Sequence, residues 1–358
     1  MSRSIGFVCA DLLPLLLESA VAPYREAAVQ VVHLAEALRA RGWDLAFLTP
    51  VAGTNVDSVV PSRLGPAHVV WVGAVPDNRW TRWQQGRRLE LARQRLEADL
   101  VVLCDARALG FDAPWGRRSA RIVHWLTGER CVLPRRSHVA WRRRNVPNLL
   151  VPSQALASHI DAAPERTHVL APGFPLPPAP RAQRTGIAWI GALDPDSGAD
   201  VLLDMADAFP GCRFDVCSQP GSDTRYAQRF EQRAGNADNV VLQANASYRD
   251  VVLRLSTARL LLSTTRTSDL AARIVLAWLH GAALVSLASD PDGLLRRRRL
   301  GLLARDPHEL YQATRQTLED DELCSDLRGR AREYAAEHFD IARVAGTCEQ
   351  IMDSLLHP

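Results

Sequence analysis

Short, nearly continuous apolar runs alternate with longer amphipathic stretches along most of the chain. The runs "IGFVCA", "DLAFLT", "HVVWVGA", "DLVVLCDA", "RIVHWL", "NLLVPS" and "HVLAPG" have the length and composition of strands. Between several of them lie segments with helical spacing, such as "REAAVQVVHLAEALRARG" and "RWQQGRRLELARQRLEA". In the first of these, Val29, Val32, Leu34, Ala35 and Leu38 fall on one side, and Gly42 ends the pattern. Strands apolar at nearly every position, joined by helices, predict parallel sheets covered on both faces.

The alternation stops at "APGFPLPPAPRAQR", where prolines exclude a continuing helix or a central strand. It then restarts with "GIAWIGAL", "RFDVCSQ", "NVVLQA", "RLLLSTT" and "ALVSL", each followed by helical sequence. From about His308 to Leu356 the pattern is helical, with a break at Phe339 and Asp340. The expected fold class is α/β: two doubly wound, Rossmann-like domains facing across a cleft. The first spans 1–172, a linker 173–184, the second 185–340, and a final helix over 341–358 turns back toward the first domain. Ligands of such sheets bind beyond the carboxyl ends of the strands, so the site is expected in that cleft.

Composition narrows the chemistry. The net charge of +3 over 358 residues does not call for nucleic acid as a partner. The 43 basic residues are all arginine, so no lysine Schiff base, lysine general base or phosphate-loop lysine exists in this chain. A phosphate held by a cation must be held by arginine or histidine. The seven cysteines are scattered, without a Cys-x-x-Cys pair, which points to reduced thiols in a cytoplasmic protein and away from zinc. No run reaches the roughly 18 apolar residues of a membrane span. The arginine runs at 135–136, 142–144 and 296–299 are read as solvated or phosphate-facing surface. The first two also offer peripheral contact with an anionic membrane. Trp115, Trp125 and Trp141, near those clusters, either stack on a sugar or belong to the core.

In the strand–turn–helix "LLLSTTRTSDLAARIVLAWL", Thr264, Thr265, Arg266, Ser268 and Asp269 occupy the turn, and Arg273 follows on the helix. Hydroxyls, a guanidinium and a helix N-terminus together suit an anion. The competing reading makes Thr267 or Ser268 an ordinary helix cap and Arg266 a solvated residue. "DPD" at 194–196 and again at 290–292 is either a carboxylate pair for a divalent cation or turn chemistry, and the loop context favours turns.

Taken in order, "RIVHWL", "NLLVPSQALASHI", "HVLAPGFPL", "IAWIGALDPDSGADVLLDMA", "LLLSTTRTSDLAARIVLAWLHGAALVSL" and "GLLARDPHELYQAT" resemble the GT-B glycosyltransferases. The nearest pattern is that of the retaining family 4. The resemblance implies transfer of a sugar from a nucleoside diphosphate carrier to a glycan, lipid or small-molecule acceptor, without metal or other cofactor. Gly191, Ser197 and Gly198 then belong to the loop facing the donor diphosphate, with Thr264, Thr265, Arg266, Ser268, Asp269 and Arg273 opposite. His124, ending a strand of the first domain, is a general base, a hydrogen-bond donor to sugar or a half-buried structural histidine. Glu129 is the alternative acid or base.

The chain departs from the family at three places. Ala192 and Ser197 stand where the family has its two diphosphate-binding cations. Ser268 and Leu276 stand where it has two glutamates. Arg25 and Glu26 replace a glycine pair. A transferase with a rebuilt donor site and a non-catalytic partner subunit of an active transferase both follow from this mixture. It leaves inversion or retention, the donor base and the oligomeric state open.

Overall fold

A computed structural model of the protein describes residues 3–19, 22–51, 57–71, 87–88, 91–104, 122–128, 148–159, 164–179, 183–219, 221, 223–265 and 270–357. These divide into two compact units. The first is built from residues within 1–19, 25–175 and 341–358, the second from residues within 20–24 and 176–340.

The first unit holds β1 (Ser4–Val8), α1 (Leu13–Leu16), α2 (Glu26–Ala40), β2 (Asp44–Val51), β3 (Ser58–Ser62), β4 (Gly65–Trp71), β5 (Leu100–Cys104), β6 (Ile122–Trp125), β7 (Asn148–Val151), α3 (Gln154–His159) and β8 (Thr167–Val169). Its sheet runs β3-β4-β2-β1-β5-β6-β7-β8. All pairings are parallel except β3 with β4. That hairpin departs from the expected all-parallel sheet. The segment "SVVPS" is exposed or half-buried throughout, and its proline suits an edge strand. Helix α2 buries Val29, Val32, Leu34, Ala35 and Leu38, and Gly42 follows it at φ +86°. Trp125 is buried in the core, whereas Trp115, Trp141 and the arginine runs at 135–136 and 142–144 lie outside the described residues.

The second unit contains β9 (Ile187–Ala192), α4 (Ala199–Ala208), β10 (Phe214–Gln219), α5 (Thr224–Gly235), β11 (Val240–Gln243), α6 (Tyr248–Thr257) and β12 (Leu260–Ser263). After these come α7 (Ala272–Leu279), β13 (Ala283–Leu287), α8 (Leu294–Arg298), β14 (Leu302–Ala304), α9 (Pro307–Glu319) and α10 (Asp321–His338). The six strands are all parallel, in the order β11-β10-β9-β12-β13-β14. The first strand, β9, therefore lies between the two halves of the winding. The chain moves outward from it in one direction through β10 and β11, then returns to its other side with β12. In such a sheet, ligands bind where the order reverses, outside the carboxyl ends of these two strands. Strand β14, only three residues long, was not separable from its surroundings by pattern. The helical tail carries an additional break at Asp320, whose side chain caps α10.

The last helix, α11 (Ile341–Leu356), packs in the first unit. Val344, Ala345, Cys348 and Met352 join the same buried cluster as Ile5, Phe7, Val31 and Leu34. Polar contacts fix it there: Glu349 Oε1 accepts from Trp43 Nε1 at 3.1 Å and from Arg3 at 2.8 Å, and Asp353 accepts from Arg3 as well.

Helix α7 is buried along almost its whole length, and three arginines meet its carboxyl end. Arg184 donates to His280 O, Arg328 Nε to Gly281 O at 2.8 Å and Arg332 Nε to Leu279 O at 3.3 Å. Burial, with Arg184 and Arg332 adding to it, pushes the His280 imidazole down to about 4. The unfolded chain protonates this histidine below roughly pH 6.5 while the fold does not, so the unfolded state binds the extra proton between those limits. Stability is thus complete above about pH 6.5 and falls as the pH drops toward 4. His280 contributes about 2–3 kcal/mol to that loss. Urea midpoints measured across this range should show a shallower acid slope in His280→Gln.

Candidate functional site

Two loops meet where the second sheet reverses its winding, one after β9 and one after β12. The loop after β9 passes through a tight turn, Pro195–Ser197, and reaches Gly198 at φ +67° just before α4. Gly198 is required by contact as well as conformation, since a Cβ there would lie 2.5 Å from Thr264 O. Gly191 is required by Trp189, because its Cβ would lie 2.7 Å from the indole ring. The hydroxyls of this region close the junction. Thr264 Oγ1 donates to Ser197 O at 2.7 Å and accepts from Trp189 Nε1 at 2.9 Å. Ser197 Oγ donates back to Asp194 O at 2.6 Å. Ser197, Thr264 and Trp189 are all buried. Their polar atoms join the two loops.

Thr264→Val removes the acceptor for the Trp189 N–H and the donor to Ser197 O, leaving both groups buried and unpaired. The expected cost is about 2–3 kcal/mol, against well under 1 kcal/mol for Thr264→Ser. Denaturant midpoints of the two variants check this.

The loop after β10 joins the same edge. Leu193 N donates to Gln219 O at 3.1 Å, and Gln219 Nε2 donates to Ala246 O at 3.3 Å. Both "DPD" segments are turns. Pro195 and Pro291 each open a short helical turn that ends at a glycine of positive φ, and Asp290 accepts from Leu295 N and Arg296 Nε, each at 2.8 Å. Among the described residues, no group of three or more His, Cys, Asp or Glu side chains is placed to hold a metal ion. In the run at 296–299, the arginines are exposed.

Arg273, in the first turn of α7, reaches back to the loop after β12: its Nη2 donates to Thr265 Oγ1 at 2.9 Å. It is half-buried, while Thr265 is buried. Thr267 lies outside the described residues, and the N-cap position of α7 falls on neither Thr267 nor Ser268. Helix α7 starts at Ala272, and its N-cap is Ala271. Leu270 and Ala271, just before the helix, are buried. Arg266, Ser268 and Asp269 lie outside the described residues, as does Glu129.

Ser263 opens the same turn in sequence but carries no assigned role there. Its hydroxyl, at the carboxyl end of β12 and in register with Ser286, is buried without a hydrogen-bond partner. A serine closing an otherwise all-leucine strand, "LLLS", was the available signal. Leu276, at a family glutamate position, is 1% exposed in the middle of α7.

In the first unit, His124 is half-buried on β6, in register with Leu103 and Leu149. Arg25 takes the N-cap position of α2, its Nε 3.4 Å from Asp11 Oδ2.

No family model matches the chain, and no curated protein matches it. Solved structures do. Sucrose-phosphate synthase from Thermosynechococcus elongatus superposes with a TM-score of 0.78 at 16% identity, over 99% of each chain. HepE of Anabaena, in complex with UDP and glucose, superposes with a TM-score of 0.73 at 16% identity, over 98% of this chain and 100% of that one. WaaG, a glycosyltransferase involved in lipopolysaccharide biosynthesis, gives 0.68 at 15% identity, over 99% and 100%. The chain has the GT-B fold of these proteins.

Proposed function

We propose that this chain is a glycosyltransferase that takes a sugar from a nucleoside diphosphate carrier, with the diphosphate held at the carboxyl edge of the second sheet. The observation that carries this reading is Arg273. It is held by Thr265 where the strand order reverses, in the first turn of α7. Departure of the diphosphate develops negative charge, which guanidinium and helix N–H groups stabilise. In a chain without lysine, arginine supplies the cation. Arg266 is the second guanidinium assigned to the donor, and the Gly191–Gly198 loop forms the facing wall.

His124 is assigned to the sugar or the acceptor, and Glu129 to proton transfer. The reaction is proposed to run without metal or other cofactor. The acceptor is a glycan, a lipid or a small molecule. The working location is the cytoplasm, with peripheral contact to an anionic membrane through the arginines near Trp141. No described helix is long and apolar enough to cross a membrane. HepE is a UDP-bound relative in fold, which makes UDP-sugars the first donors to try.

The test is release of nucleoside diphosphate from a panel of UDP-, GDP-, CDP- and TDP-sugars, with and without added acceptors. Turnover with one base supports the reading, and the absence of both binding and turnover with every base removes it. A second reading is favoured by Leu276 and Ser197, one buried at a family glutamate position and the other turned inward at a cation position. It makes the chain a non-catalytic subunit of an active transferase. That reading expects no nucleotide binding and a stable complex with the transferase.

A further inference from the structure

A depression in the second unit lies at the opposite end of α7 from Arg273, roughly 9 Å away along the helix axis. Its volume is about 560 Å³. Leu176, Pro177 and Ala336 form an apolar wall, and Arg328, Arg332 and Glu333 of α10 bring the charge. Gly329, between the two arginines, lies on an exposed part of the helix, and a Cβ built there meets nothing within 4 Å.

The two guanidiniums are set in an unusual way. Each is anchored by its Nε on a backbone carbonyl, Arg328 on Gly281 and Arg332 on Leu279. Among the described residues, carbonyls rather than carboxylates meet them, and Arg332 Nη2 adds only a 3.5 Å contact to Pro178 O. Anchoring at Nε orders the side chain and leaves Nη donors over, both of them on Arg328. The entropic cost of ordering an arginine fork around an anion has therefore largely been met by the fold. Guanidiniums outnumber the single carboxylate two to one, so the lining favours an anion. The apolar wall favours an organic body attached to it.

We propose that this depression is a binding site for a small organic phosphate, distinct from the donor site. The phosphate oxygens take the Nη donors of Arg328 and Arg332, and the organic part lies against Leu176, Pro177 and Ala336 over the space left by Gly329. Because the site sits at the other end of α7, it can be filled together with the donor site.

Calorimetric titration of the full chain with phenyl phosphate tests this. The expected result is saturable binding at one site, with inorganic phosphate weaker because it leaves the apolar wall uncovered. Arg328→Gln keeps a donor near Gly281 O but removes the charge, and should weaken binding about tenfold. Glu333→Gln removes the opposing charge and should tighten it. Gly329→Leu fills the space at a position where a side chain also favours the helix, and should abolish binding in a protein that melts no lower. Arg273→Ala should leave the affinity unchanged. The proposal is overturned by the absence of saturation up to about 10 mM, or by wild-type binding in Gly329→Leu. Loss of binding in Arg273→Ala also overturns it, since that would put the probe in the donor site. None of these outcomes depends on whether the chain transfers sugar.

Discussion

Leu276→Glu, which restores the residue found in the resembling family, is expected to destabilise the protein by about 4–5 kcal/mol at neutral pH. Removing the leucine side chain from the core costs about 2–3 kcal/mol. Burying a carboxyl group without a partner adds a few more, whether it stays charged or takes up a proton. The neighbours leave no polar route out: Ile274, Val275, Ala277, Trp278 and Leu279 are all 1% exposed or less. Against a total of about 5–15 kcal/mol for a folded domain, this removes much of the margin. The carboxyl pKa is raised by burial, so the defect should be smaller at pH 5 than at pH 8. Leu276→Met, close in volume, should cost under about 1.5 kcal/mol. Urea unfolding of the two variants at both pH values checks the expectation. A Leu276→Glu protein within about 1 kcal/mol of the parent would mean that this helix face opens onto a polar site.

Arg273→Ala is expected to weaken nucleoside diphosphate binding by about 2 kcal/mol, or about thirtyfold in Kd, because a charge-assisted contact to the diphosphate is lost. The fold should hardly notice. Arg273 is half-buried, and the loss of its hydrogen bond to the neutral Thr265 hydroxyl costs about 1 kcal/mol. The separation of the two effects is the diagnostic feature. Arg273→Lys keeps the charge but loses the fork, so it should fall between the parent and the alanine variant. Thr265→Val removes one hydrogen bond to the guanidinium and should weaken binding by a smaller factor. Calorimetry with UDP, followed by melting of the same samples, reads both quantities. At about one hundred times Kd, bound nucleotide should add about 2.7 kcal/mol of stability to the parent.

Much of the fold could be read from local pattern, because strands buried on both faces have no polar alternation to obscure them. Runs such as "IGFV" of β1 and "LLLS" of β12 stand out for that reason. The elements that escaped are those without such burial. Strand β3 is a surface hairpin arm with a proline, and β14 is three residues long. The site was less legible. Thr264 and Ser197 have the residue types of ligand contacts, but their hydroxyls close a junction between loops. Its partner Trp189 lies 75 positions from Thr264, a pairing that no local pattern records. Thr267 and Ser268 look like helix caps, yet the helix begins only at Ala272, after the buried Leu270 and Ala271. Arg273 could be placed near the turn by helical spacing alone, since a residue on the first turn projects back toward the N-terminus. The loss of the family glutamate at Leu276 was plain in sequence. That the position had become core was visible only once its neighbours were in place.

The most direct test of the account is a crystal structure of the full chain grown with UDP. The expected density places the diphosphate at the carboxyl edge between β9 and β12, with oxygens about 3 Å from the Arg273 guanidinium and the N–H groups opening α7. A nucleotide bound elsewhere with that edge untouched, or no nucleotide at saturating concentration, would contradict it.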